Sequence, residues 1–487
     1  MLLGIDLGTG SVKALVLSGD GAVLGEASQA YDVQSPQPGW AESQPPQWWS
    51  AMAIAVRQAV QSHAEQIQAI GLSGQMHGVV LADATGMPLR SAILWADTRS
   101  SPMLETYRQL DPTLQQRLAN PIAAGMAGVS LLWLRQHEPQ HYAAARWALQ
   151  PKDWLRLRLT GEAATDPSDA SGTLLYDVLG DRWAWEVMEA LHLRSDWLPP
   201  VIPSSQVAGT LTAEAASALG LAAGLPVVTG AADTAAAALG SGLIHPGPIQ
   251  LTVGSGAQLV TLRSHPVVDP QRRTHLYRSA LPQQWYSLAA IQNAGLALEW
   301  VRAMLGMSWS QVYTDAMTVA PGCDGLTFLP YLTGERTPHF NPDARGAWVG
   351  LGLHHTRAHL MRAALEGVAL ALRQGLEALP PTDAATPLRL AGGGTLEPAW
   401  RQLLADVLQR PLCPVTIAAA SARGAAILAG MGTGNCNEAI GCDEPESAEA
   451  SSEPITLPQP PDPELENAWK RFCDRYSSLY ASPYPSL

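Results

Sequence analysis

Short apolar runs separated by turn residues open the chain. LLGIDL, GTG, VKALVL, GDGA and VLGEAS follow one another over residues 2–28 and predict a hairpin meander. The period then changes. In PPQWWSAMAIAVRQAV, residues 45–60, the residues Trp49, Met52, Val56 and Val60 fall on one helical face, with Pro46 near the start. IQAIGLSG reads as a buried strand that ends in the loop Gly74-Gln75-Met76-His77-Gly78. At residues 226–242 an apolar strand runs into Asp233 and a stretch of alanines. Leu388 and Leu390 close another strand, before Gly392, Gly393, Gly394 and a helix. After Gly441 the chain turns acidic and proline-rich, as a surface connection does. It leads into a helical stripe of Leu465, Trp469, Phe472 and Tyr476 that should dock on the second of two domains.

A weak internal repeat organises these elements. Residues 5–17 laid beside 251–262 pair Gly8 with Gly254, Thr9 with Ser255 and Asp6 with Thr252. Each copy is a strand, a glycine-plus-hydroxyl turn and a second strand. The spacing predicts a duplicated α/β unit, residues 1–245 and 246–487, with the boundary inside residues 241–250.

Composition narrows the partners. A chain of 487 residues with 47% apolar content builds more than one core. A net charge of −13 argues against nucleic acid and anionic membrane, because no basic excess exists to displace counterions. The N-terminus lacks a basic leader and carries Asp6 in its first apolar run, and no later run reaches membrane-spanning length. Cys323, Cys413, Cys436, Cys442 and Cys473 are scattered without metal spacing, which fits free thiols in the cytoplasm.

Several short segments carry chemistry. The turn Gly8-Thr9-Gly10-Ser11 offers a row of free N–H groups to a polyphosphate, and Asp6 before it suits Mg²⁺ held through water. Gly254-Ser255-Gly256 repeats that turn, and Gly392-Gly393-Gly394 is a candidate platform for adenine and ribose. Asp233, between a strand and a helix, is either an N-cap or a general base. Gln75, Met76 and His77 suit polyol recognition. Trp95 suits a sugar wall, whereas Asp97 and Arg99 suit an ion pair with each other.

With these motifs in hand, the chain resembles the carbohydrate kinases that include glycerol kinase, gluconokinase, ribulokinase and xylulokinase. The resemblance spans roughly residues 1–435. It rests on IDLGT, GWAESQPPQWW (39–49), Asp233 in its small-residue setting, FLPYLTGERTPHFNPDARG (328–346) and GAWVGLGLHHTRAHLMRAALEG (346–367). Within that family GQMHG, ILWAD, PKDWLRLRLTGE (151–162) and the 168–173 run are most similar to the xylulokinase branch. Gly10-Ser11 stands in swapped order, Ser255-Gly256 replaces a Thr-Ser pair, and Ser130 replaces a lysine. The resemblance implies two actin-like (ribonuclease H-like) domains with a cleft between them, the first bringing the sugar and the second the nucleotide. It implies Asp233 as base, Asp6 supporting metal and phosphate, and Met76 and His77 touching the sugar, to which the reading of the loops above adds Gln75 and Trp95. ATP would lie against Gly8, Thr9, Gly10, Lys13, Gly254, Ser255 and Gly392–Gly394. The implied reaction makes D-xylulose 5-phosphate from D-xylulose and ATP with Mg²⁺. A homodimer is a separate expectation. Another sugar of the family, or a non-enzymatic actin-like ATPase, are the competing expectations.

Overall fold

The computed structural model describes residues 1–392, 397–435 and 455–480. Within them two mixed sheets form around two copies of one strand plan. The first sheet runs, edge to edge, Val207–Thr210, Pro226–Val228, Ala69–Gly74, Leu2–Leu7, Ser11–Leu17 and Val23–Ala30, with Ala231–Ala232 added on Ala69–Gly74. The second runs His275–Arg278, Trp285–Ile291, Ala257–Arg263, Ile249–Val253, Leu388–Ala391 and Leu412–Pro414. In each, an antiparallel hairpin carries a third antiparallel strand on one side. Two parallel strands lie on the other. Parallel neighbours need long crossovers, and helices supply them. The two aligned hairpins, Leu2–Leu17 and Ile249–Arg263, occupy equivalent central places, as the repeat predicts. His275–Arg278 extends the second sheet at the edge where the first sheet ends.

The helix Pro45–Val60 covers the first sheet. Met52, Val56 and Val60 are buried as expected, but the aromatic in the core is Trp48, with no exposed surface, and not the half-buried Trp49. Trp48 satisfies its indole N–H on Ser43 Oγ at 2.8 Å, which lets a polar atom sit in that core. The terminal helix Pro463–Tyr480 buries Leu465 and Phe472 in the second unit's core and lays Trp469 and Tyr476 against it.

One helix departs from the simple division. Ala420–Thr433 comes from the second half of the chain yet packs on the first sheet and on the helix Asp233–Gly240. Glycines make this possible. A Cβ on Gly4 would collide with the Ala422 carbonyl, and one on Gly71 with that of Ala425. A cut after residue 245 therefore separates the two sheets but not the elements that cover them. The seam is apolar: Leu2, Leu17, Met76 and Ala236 share a core with Leu262, Tyr277, Tyr286 and Ile427. Cys323, Cys413 and Cys473 are free thiols, while Cys436 and Cys442 lie outside the described residues. No helix among the described residues is long and apolar enough to cross a membrane.

Candidate active site

Parallel strands end side by side where the first unit faces the seam, and that ending places two carboxylates together. Asp6 sits near the end of Leu2–Leu7, in register with Ser73, whose hydroxyl donates to Asp6 Oδ1 at 2.7 Å. Ala231 and Ala232 pair with Ser73 and Gly74 of the same strand, so the next residue, Asp233, emerges beside them. Asp233 is the first residue of its helix, with Ala232 at the cap position. The N-cap reading of Asp233 therefore fails. Its Oδ1 accepts from the Thr234 N–H at 2.6 Å and the Thr234 hydroxyl at 3.2 Å. Oδ2 has no hydrogen-bond partner among the described residues. Burial, then the neighbouring Asp6 charge, pushes the Asp233 carboxyl up to about 7. Burial also raises Asp6, against the Ser73 bond and the Lys13 charge across the hairpin. A carboxyl poised near neutrality beside a second carboxylate suits proton acceptance next to a cation. Among the described residues no three potential ligands cluster. The pair therefore fits Mg²⁺, which keeps most of its water and takes few protein ligands, better than a caged metal.

Both glycine turns close on their own backbone. Gly8 N–H closes the first by donating to Ser11 O at 3.0 Å, and Tyr31 fixes it by donating its hydroxyl to the Gly8 carbonyl. A Cβ on Gly10 would touch nothing, so a ligand can approach that backbone closely. In the second turn Gly254 N–H donates to Gly256 O at 2.8 Å, and Ser255 O accepts from Ala294 and Leu296 at the start of the helix Gly295–Met304. Gly392 has φ +97° and lies against Val253, where no side chain would fit. Gly393 and Gly394 fall outside the described residues. Lys13 is exposed on the strand after the first turn.

The predicted sugar loop lies next to these groups. Gln75 is buried, its backbone N–H bonded to Leu7 O at 2.8 Å and its amide reaching Gly8 O at 3.4 Å. His77 takes φ +70° and places Nδ1 2.7 Å from the Gly172 carbonyl. A carbonyl only accepts, so Nδ1 carries the proton and Nε2 remains an acceptor. Burial lowers this imidazole to about 4, which keeps it neutral. Gly172 has no side chain because one would press on His77 and Met76, which explains the glycine in the 168–173 run. Trp95 donates its indole N–H to Thr9 Oγ1 at 2.9 Å, tying the sugar wall to the first turn.

The second half also lines this pocket, which the sequence reading assigned to the first half alone. Tyr277 stacks on His275 and lies 5.9 Å, centroid to centroid, from His77. Tyr286 donates its hydroxyl towards Met76 Sδ at 3.7 Å. Arg336 places its guanidinium carbon 4.9 Å from the centre of the Trp95 ring. Arg336 lies inside the 328–346 motif, but nothing in its spacing says which way the side chain crosses. The alternation His275, Tyr277 was the available signal for the edge strand, and it reads equally as core.

Two buried polar networks support the walls. Lys152 Nζ meets Asp153, Asp166 and Asp169 at 2.7, 2.8 and 3.0 Å with no exposure to solvent. Asp166 accepts from Ser168 and Ser204, and the Ser168 hydroxyl oxygen accepts from the Ala232 N–H at 2.9 Å, one residue before Asp233. Asp97 and Arg99 pair at 2.7 Å, the structural reading of that couple. Arg99 also meets Glu42 at 2.7 Å and stacks on Trp40, so the 39–49 motif anchors the loop that carries Trp95.

Comparison with known proteins identifies the family. Residues 1–240 match the N-terminal domain of the FGGY family of carbohydrate kinases, and residues 250–433 match its C-terminal domain. The chain is 36% identical over 410 residues to the xylulose kinase of Escherichia coli (strain K12), covering 84% of each. It is 30% identical over 450 residues to the gluconokinase of Bacillus subtilis (strain 168), covering 89% of this chain and 88% of that one. The crystal structure of xylulose kinase from Rhodospirillum rubrum superposes with a TM-score of 0.86 at 31% identity, covering 99% of this chain and 98% of that one. Duplicated sheets, paired carboxylates and matches to both domain models lead to one conclusion. The chain belongs to the FGGY family of carbohydrate kinases, phosphotransferases that use ATP.

Proposed function

We propose that this kinase phosphorylates D-xylulose at its 5-hydroxyl, in the cytoplasm, to give D-xylulose 5-phosphate and ADP. The observation that carries the reading is Asp233, a carboxyl held near 7 beside Asp6, at the junction of the sugar loop and the phosphate turns. The choice of sugar rests on the similarity to xylulose kinases and on the neutral, acceptor-bearing His77 of the GQMHG loop.

In this reading the sugar lies against Gln75, Met76, His77 and Trp95 with its 5-hydroxyl at Asp233. Asp233 takes the proton of the 5-hydroxyl on its Oδ2 as the sugar oxygen forms a bond to the γ-phosphorus. The bond to the β–γ bridging oxygen breaks, and ADP leaves. The backbone of the two turns, apart from the Gly8 and Gly254 N–H groups that close them, is offered to the spreading charge. Asp6 would hold Mg²⁺, which when bound would supply positive charge to neutralise the phosphates. His77 orients the sugar and, being neutral, adds no competing charge.

The deciding experiment compares kcat/KM for D-xylulose, D-ribulose, D-gluconate and glycerol with saturating ATP. D-xylulose is expected to lead. A higher value for any other sugar replaces it in this reading and leaves the kinase assignment standing.

A further inference from the structure

Arg336 is a part-buried guanidinium that forms no ion pair within 4 Å among the described residues. It is carried on the Gly334–Asn341 loop of the second half, which is fixed by backbone bonds rather than by the charge. Thr337 N–H donates to Ala290 O at 3.0 Å, and Glu335 and Asn341 exchange a pair of bonds at 2.9 Å. Glu335, the adjacent carboxylate, attracts it but forms no ion pair with it within 4 Å. Its Oε1 accepts instead from the backbone N–H groups of Gln292 and Arg336, both at 2.7 Å. What the guanidinium does meet is the sugar side of the cleft, with Trp95 under it at 4.9 Å. His77, His275 and Tyr277 lie within reach of its charge, and Tyr277 also lies within reach of Asp233. A part-buried cation beside aromatic side chains, with no ion pair within 4 Å among the described residues, can take an acceptor from a ligand.

The identity of that acceptor follows from sugar chemistry. Arginine only donates, so it selects groups that only accept. A 2-pentulose closes its five-membered ring through the 5-hydroxyl oxygen, so a molecule with that hydroxyl free for phosphorylation is open-chain and keeps a C2 carbonyl. An aldonate likewise presents a carboxylate at the end away from its reacting hydroxyl. An alditol presents neither.

We propose that Arg336 is a specificity-determining residue that donates to the carbonyl or carboxylate oxygen of the sugar and so discriminates ketoses and aldonates from alditols. The proposal rests on the pocket being the sugar site of the kinase assigned above. It adds that one half of the molecule presents the base and the other reads the oxidised carbon.

The test measures binding of D-xylulose, D-gluconate and xylitol by calorimetry, for the wild type and for Arg336→Met and Arg336→Lys. The wild type should bind the better of the two acceptor-bearing sugars about 10–100-fold more tightly than xylitol, as one charge-assisted hydrogen bond provides. Arg336→Met should erase that gap by weakening the acceptor-bearing sugar while leaving xylitol affinity in place, which also shows that the pocket has kept its shape. Arg336→Lys keeps a charge but not the planar fork, and should close most of the gap for the carbonyl. A gap that survives in Arg336→Met overturns the proposal. So does an equal loss for all three ligands, which would make Arg336 a prop for Trp95. Should gluconate prove the preferred ligand and lose its advantage in Arg336→Met, the D-xylulose assignment falls and the role of Arg336 stands.

Discussion

Asp233, the proposed base, is held where burial disfavours its charge. Because it must be unprotonated to accept a proton, kcat/KM should rise with pH through a midpoint near 7 and level off above it. Replacement by Asn should lower turnover by about 10²–10⁴-fold and abolish that midpoint, while sugar and ATP still bind. Stability should move the other way. The carboxyl is raised above its unfolded value, so the folded protein holds more protons between about pH 4 and 7 and loses stability as pH rises through that window. Asp233→Asn should therefore melt above the wild type at pH 8, with the two curves converging toward pH 4. A lower melting temperature for the Asn variant at pH 8 would refute the burial account. His77 poses a separate question. His77→Ala should raise KM for the sugar far more than for ATP, by about 10-fold or more, as loss of a buried hydrogen bond predicts. Equal changes in both KM values would return this histidine to a structural role. Residue chemistry of this kind was legible where a motif was local. Asp6, Asp233 and the GQMHG loop each sit at an element's end, where polarity breaks an apolar pattern. Arg336 and Tyr277 were not legible, because their role depends on a contact between sequence-distant strands that no local period encodes.

At the level of elements, the strand-to-helix corner at Ala232–Asp233 depends on a layer beneath it. Ser168 links that corner to the Lys152–Asp166 cluster, and Arg156 of the same cluster donates to the Thr229 carbonyl at 2.9 Å on the strand side. Ser168→Ala removes the acceptor for the Ala232 N–H and one donor to Asp166, while the ion pairs of Lys152 keep all their atoms. It should lower kcat more than it raises either KM, and Ser168→Thr, which restores an oxygen, should recover much of the loss. A purely structural Ser168 would instead change the melting temperature with kcat untouched. The hydrophobic pattern located most elements here, including the meander, the helix Pro45–Val60 and the terminal helix. It misplaced the core aromatic by one position. Trp48 and Trp49 are adjacent, and only the Ser43 partner and the approach of Trp154 decide which of them turns inward.

Across the whole molecule, groups for one reaction come from both halves of the chain. The proposed base, the proposed sugar loop and the first turn come from the first half, and the second turn, Tyr277 and Arg336 come from the second. Sugar binding should therefore draw the halves together and keep water from the γ-phosphate. Without sugar, ATP hydrolysis should be slow. A D-xylulose analogue lacking the 5-hydroxyl should raise ADP release above the sugar-free rate and below that of normal transfer, because water can take the place of the nucleophile. Small-angle scattering should show a smaller radius with sugar and nucleotide bound, and an unchanged radius with both present would exclude closure. The internal repeat announced the duplicated sheets, since two matching hairpins imply two matching strand plans. It could not announce the crossing of Ala420–Thr433, because a helix of alanines and glycines carries no mark of which sheet it will cover.

That crossing has a consequence for how the protein is made. The glycine floor at Gly4 and Gly71 is covered only by a helix that ends at Thr433, late in the chain. At about 5–20 residues per second, a ribosome completes the first sheet's last strand roughly 10–40 s before that helix emerges. During synthesis the first half must wait with an uncovered apolar face, a state that invites chaperones and aggregation. Translation arrested after residue 245 should yield a nascent chain that proteases digest readily, and arrest well beyond residue 433 should yield one that resists.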